Sequence, residues 1–147
     1  MKYHTKCEHC GHQVTAYTYS LNVGKVRALR SLVDKYEETR KPVELGTLGL
    51  TNSQYTNFCH LPYFGLAQYI PGEGWVPTPK GIMFIEGHVA ISMPVAVMGG
   101  EVLPNDHEAW QTATRQPKLY SVRQIDETSY KQKVEYQQEK SMAASLF

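Results

Sequence analysis

Apolar residues recur at spacings of three and four through "SLNVGKVRALRSLVDKYEETR" (20–40), where Val23, Val26, Leu29, Leu32, Val33 and Tyr36 share one face. That period predicts an amphipathic helix. Ser20 or Asn22 can cap its start, and Pro42 stops it. Lys25, Arg27, Arg30 and Lys35 fall largely off the apolar stripe. "VELGTLGL" (43–50) holds two glycines and predicts only a short helix. A further helix is expected to begin at Thr51 or Asn52, with Tyr55, Phe58, Cys59 and Leu61 inward and Gln54 and Asn57 outward. Pro62 removes a hydrogen bond to residue 58 and clashes there, so this helix should bend or tighten. Gly65 can close it in a left-handed cap.

The pattern then changes period. "LAQYIPGEGWVPT" (66–78) reads as strand, turn and strand. "PKGIMFIEG" (79–87) is a short helix with Pro in its first turn and apolar Ile82, Phe84 and Ile85. On the N-terminal side, "VTAYTY" (14–19) is β-prone. Residues 88–103 are β-like with Gly99–Gly100 as a turn, 104–117 irregular, and 118–125 alternating, which predicts a strand. Residues 126–147 are polar, helical at first and then loose. Four segments result: 1–19, 20–87, 88–125 and 126–147.

Composition narrows the class. The chain has 147 residues, 41% hydrophobic and 20% charged, which fits one folded domain that buries a core without disulfide staples. A formal net charge of +1 argues against coating nucleic acid by charge alone and leaves a local basic face open. The start "MKYHTKCEHC" shows no export signal, and no stretch is long enough to cross a membrane. No internal repeat is visible. Three cysteines, two of them in a CxxC, read as metal or redox chemistry in a reducing compartment, so a cytoplasmic location is expected.

Helix, short helix, helix, hairpin, helix is the order of a winged helix. The string "FGL…WVPTPKG" (64–81) carries the resemblance: aromatic-Gly-Leu at the end of a recognition helix, Trp-x-x-Thr in the second wing strand, and a following Thr-x-x-Gly turn. It resembles the winged helix-turn-helix superfamily, including relatives of the MarR type. The chain is also similar to small phage and prophage proteins with an N-terminal CxxC. The resemblance spans 20–87, about half the chain, and implies an α+β fold: a winged-helix core, a zinc-knuckle-like N-terminal segment and a C-terminal β extension. It implies sequence-dependent binding of double-stranded DNA, as a regulator of transcription in a phage or mobile element, with a homodimer as one arrangement open to it. A recognition helix reads the major groove mainly with its N-terminal residues. The outward residues would be Asn52, Ser53, Gln54, Thr56, Asn57 and His60; Asn and Gln suit adenine and Ser or Thr either base type. No Lys or Arg lies on that helix, so phosphate anchoring falls to Lys80, Arg40 and Lys41. Residues 20–87 hold seven Lys and Arg against six Asp and Glu, a thin charge for DNA. The alternative is a protein-interaction adaptor that uses the same surface.

"KCEHCGH" (6–12) is half of a zinc site. The remaining donors are His4, His9, His12, Cys59, His60, His88 and His107. Cys59 is accounted for as a small core residue. Three readings stay open: zinc held by Cys7, Cys10, His4 and His12; a knuckle that has lost its metal; and a redox pair, which no following helix supports. Zinc, if held, would tie down a short N-terminus that cannot build its own core. "NDHE" (105–108) sets three ionisable residues side by side on a loop, where neighbours seldom converge on one metal. No phosphate-binding glycine loop, nucleophile elbow or HExxH is present, so no enzyme is expected.

Overall fold

The computed structural model describes residues 3–6, 11, 13–113 and 115–127. Cys7, Cys10, His9 and His12 of the knuckle lie outside these residues, as does 128–147 of the C-terminal segment. The described chain is mixed α+β, with helices and small antiparallel sheets.

Strands β1 (Tyr3–Lys6) and β2 (Gln13–Tyr19) pair antiparallel, so the CxxC segment is their connection. Helix α1 (Val23–Thr39) follows. Asn22 caps it, its side chain accepting from the Lys25 amide at 2.9 Å. Val26, Leu29, Leu32 and Val33 of the expected stripe are buried, Val23 and Tyr36 are half-buried, and Ala28 is buried beside them. The helix ends at Arg40, which adopts a left-handed conformation (φ 57°) and donates its N–H to the Tyr36 carbonyl at 2.7 Å.

Val43 exchanges two 2.8 Å backbone hydrogen bonds with Trp75. The approach depends on Gly74, where a Cβ would sit 2.7 Å from the Val43 oxygen. A single 3₁₀ turn (Leu45–Thr47) leads to helix α2 (Asn52–Asn57), which tightens into a 3₁₀ stretch (Phe58–Phe64) containing Pro62. Gly65 closes it in the left-handed region. Strands β3 (Ala67–Ile70) and β4 (Gly74–Pro77) form a hairpin, and helix α3 (Pro79–Ile85) leaves it with Pro at the start. The Thr78 hydroxyl accepts from the Gly81 amide at 3.0 Å and donates to the Gly65 carbonyl at 2.6 Å. One side chain thus joins the end of the 3₁₀ stretch to the start of α3.

Strands β5 (Ile91–Met93), β6 (Val95–Met98) and β7 (Glu101–Val102) follow. The β6–β7 turn falls at Gly99–Gly100, as expected. β6 returns to the N-terminal hairpin and pairs with β2, Tyr17 opposite Val97, giving the order β1-β2-β6-β7. A 3₁₀ turn (Glu108–Thr112) crosses the stretch expected to be irregular; Trp110 is buried there and its indole donates to the Pro104 carbonyl at 3.2 Å. Strand β8 (Lys118–Tyr120) pairs with β5. The predicted strand over 118–125 ends early, because Ser121 and Gln124 form a reciprocal cap that opens helix α4 (122–127).

The core runs from Leu21 through Val26, Leu29, Phe58, Leu66 and Phe84 to Ile91, Val122 and Ile125. Residues 88–125 therefore complete the apolar centre that 20–87 begins. Among the described residues no polar or charged side chain is buried, and no helix is long and apolar enough to cross a membrane.

Two inward positions of the second helix differ from expectation. Phe58, Leu61 and Phe64 are buried at a spacing of three, the period of a 3₁₀ helix. Cys59, expected in the core, is carried outward by that tightening and is exposed, its Sγ 3.5 Å from the Thr56 carbonyl. Tyr55, also expected inside, lies on the α-helical part before the change of period and is 58% exposed.

Candidate functional site

The start of α2 is built by a capping box. Thr51 accepts from the Gln54 amide at 3.2 Å, and Gln54 Oε1 accepts from the Thr51 amide at 3.0 Å. Gln54 Nε2 donates to the Gly24 carbonyl of α1 at 3.2 Å. Its amide is thus engaged at both ends and half-buried, where an outward, base-reading side chain was expected. Asn57 is half-buried too, while Asn52, Ser53 and Thr56 are exposed.

His60 turns toward the N-terminal sheet. Its ring lies 4.5 Å from that of Tyr19 and 6.1 Å from that of Tyr63. Nδ1 is shut off from solvent with no hydrogen-bond partner among the described residues. Burial first, and then the Lys25 charge, hold the imidazole below its ordinary value. Burial likewise lowers the Lys25 ammonium, with the nearby Cys59 acting in the opposite direction; Lys25 Nζ donates to the Ser20 carbonyl.

The basic candidates are dispersed. Arg40 and Lys41 are exposed at the end of α1. Lys80 is exposed at the far end of the 3₁₀ stretch, its Nζ 3.8 Å from where a Cβ on Gly65 would lie. Residues 42–79, which hold α2 and the hairpin, contain no Lys or Arg and two carboxylates, Glu44 and Glu73.

What does gather on this face is aromatic. Tyr69 and Trp75 sit opposite each other across β3 and β4, ring centroids 5.4 Å apart. Phe58 meets Trp75 edge-on from the core at 4.9 Å and fixes the indole from behind. Tyr55 reaches the same place from α2. A groove of about 420 Å³ runs between them, walled by Glu44, Tyr55, Tyr69, Glu73 and Trp75. Neither Glu44 nor Glu73 forms an ion pair among the described residues. Lys35 and Lys41 stand in an adjoining groove of about 340 Å³ that shares both carboxylates. Nothing in the spacing of 51–78 marked this cluster, since Tyr55 read as core and the hairpin aromatics as ordinary strand residues.

Among the described residues no group of three His, Cys, Asp or Glu is disposed to hold a metal. Of the zinc candidates, His4 lies opposite Thr15 in the β1–β2 register. His107 is spent on its own turn, Nδ1 accepting from the Ala109 amide at 3.0 Å. Comparison with protein families, curated proteins and solved structures finds no match to this chain.

Proposed function

We propose that residues 20–87 are a winged helix whose α2–hairpin face docks another protein. The element order supports the scaffold: α1, the Val43 bridge, a short turn, α2 with its 3₁₀ continuation, and a hairpin. The observation that carries the docking role is the exposed pair Tyr55 and Tyr69 beside half-buried Trp75, in a stretch (42–79) without a single Lys or Arg. DNA affinity rests largely on neutralised phosphates. Glu44, beside the turn before α2, and Glu73, at the hairpin tip, instead set negative charge where a wing would meet a backbone. Exposed aromatic side chains are what protein interfaces concentrate.

Sequence-dependent DNA binding is the second reading. The exposure of Asn52, Ser53 and Thr56 at the start of α2 favours it, since these reach a major groove first. A zinc ion on Cys7 and Cys10, completed by His4 and His12, belongs to the proposal as a fastening of the β1–β2 connection.

A photo-crosslinking residue at Ser53 separates the two readings. Docking predicts a discrete protein adduct in cells that Tyr55→Ala/Tyr69→Ala abolishes. The purified chain should bind random-sequence duplexes only weakly even at about 50 mM salt. Nucleic-acid adducts, with tight and salt-sensitive duplex binding, would establish the DNA reading in its place.

A further inference from the structure

The docking face has a charge preference written into its groove. Tyr55 and Tyr69 are 58% and 51% exposed, so their rings are open to an incoming group. Trp75 is pinned from the core by Phe58 and flanked by Tyr69 at 51° between ring planes. Ring faces carry negative potential and attract ammonium and guanidinium groups, Trp most strongly. The two carboxylates of the same wall, Glu44 and Glu73, have no ion-pair partner among the described residues. No basic side chain of the described residues lines this groove. Lys35 and Lys41 line the adjoining groove, which shares Glu44 and Glu73, and neither forms an ion pair with them.

Resting on the docking reading, we propose that the groove receives a lysine or arginine side chain from the partner protein. The rings take the face of the cation, and the carboxylates accept from its N–H groups. A neutral apolar side chain would fill the same space but leave both carboxylates without a counter-charge. An acidic one would be repelled.

The test uses the full chain and short capped glycine peptides with one central Arg, Lys, norleucine or Glu. The indole N–H resonances of Trp75 and Trp110 are followed by NMR. Trp110 is buried and hydrogen-bonded to Pro104, so it serves as the internal reference. The Arg and Lys peptides should shift Trp75 and leave Trp110 unmoved, with apparent affinity about 10-fold above the norleucine peptide. Glu73→Gln and Tyr69→Ala, both at exposed positions, should erase that difference while the Trp110 signal stays native. Equal shifts from norleucine would overturn the cation preference and leave the docking face standing. If no peptide moves Trp75 and a DNA duplex instead shifts the amides of 52–56, the docking reading itself falls.

Discussion

Gly81 shows how one residue decides whether the hairpin and α3 can meet. A Cβ there would lie 2.0 Å from the Leu66 carbonyl oxygen. That oxygen already accepts from the Thr78 amide at 3.1 Å, so neither side can yield cheaply. Gly81→Ala should cost about 1–3 kcal/mol or more, the range of overpacking in a tight core. Gly46→Ala, with nothing within 4 Å, should be near neutral. Urea unfolding of the two variants checks the contrast. His60 offers a pH test. Its native pKa lies below the ordinary 6.5, so the unfolded chain takes up the proton first. Its contribution to stability is complete above pH about 6.5 and is lost as pH falls through the native value. The ring is partly exposed, so the effect is small. NMR titration of the imidazole, with unfolding midpoints of wild type and His60→Gln across pH 5–7, should show the two stabilities converging in acid.

At the scale of elements, caps separate what could be read from the sequence from what could not. Helix α1 was legible because Val26, Leu29, Leu32 and Val33 are bracketed by Asn22 and Pro42. Pro62 and Gly65 announced the tightened end of the second helix. The exposure of Tyr55 was not legible, because it depends on where the α-helical period gives way to three residues per turn. Ser121-x-x-Gln124 carries the same capping signal as Thr51-x-x-Gln54, but the alternation of 118–125 masks it, so the first four residues of α4 resemble strand. Thr51→Ala should cost about 1 kcal/mol. Gln54→Ala should cost more, because it also cuts the tie to Gly24. A double-mutant cycle should return a coupling of at least about 0.5 kcal/mol between the two positions. For the N-terminal hairpin, metal analysis of the purified chain should find about one zinc per chain. Cys7→Ser should release it and speed amide exchange over 13–19, with α1 unchanged.

The molecule as a whole is less divisible than its sequence segments. Ile91, Val122 and Ile125 share a core with Leu29, Phe58 and Phe84. A fragment of residues 20–87 should therefore lack cooperative unfolding, whereas the full chain should melt in one transition by circular dichroism. Ile125→Ala should cost about 2–4 kcal/mol. Breaking the Arg30–Asp126 ion pair, whose side chains are 38% and 37% exposed, should cost no more than about 1 kcal/mol. Neither the shared core nor the gathering of Tyr55, Tyr69 and Trp75 could be read locally, because both depend on contacts between distant stretches. The pairing of Tyr17 with Val97 has a further consequence, in the order in which the protein is made. At the usual pace of about 5–20 residues per second, β2 leaves the ribosome several seconds before β6 is synthesised. Throughout that interval one edge of β2 has no sheet to join. The growing chain thus presents a β edge of the kind that chaperones shield, until β6 is made and covers it.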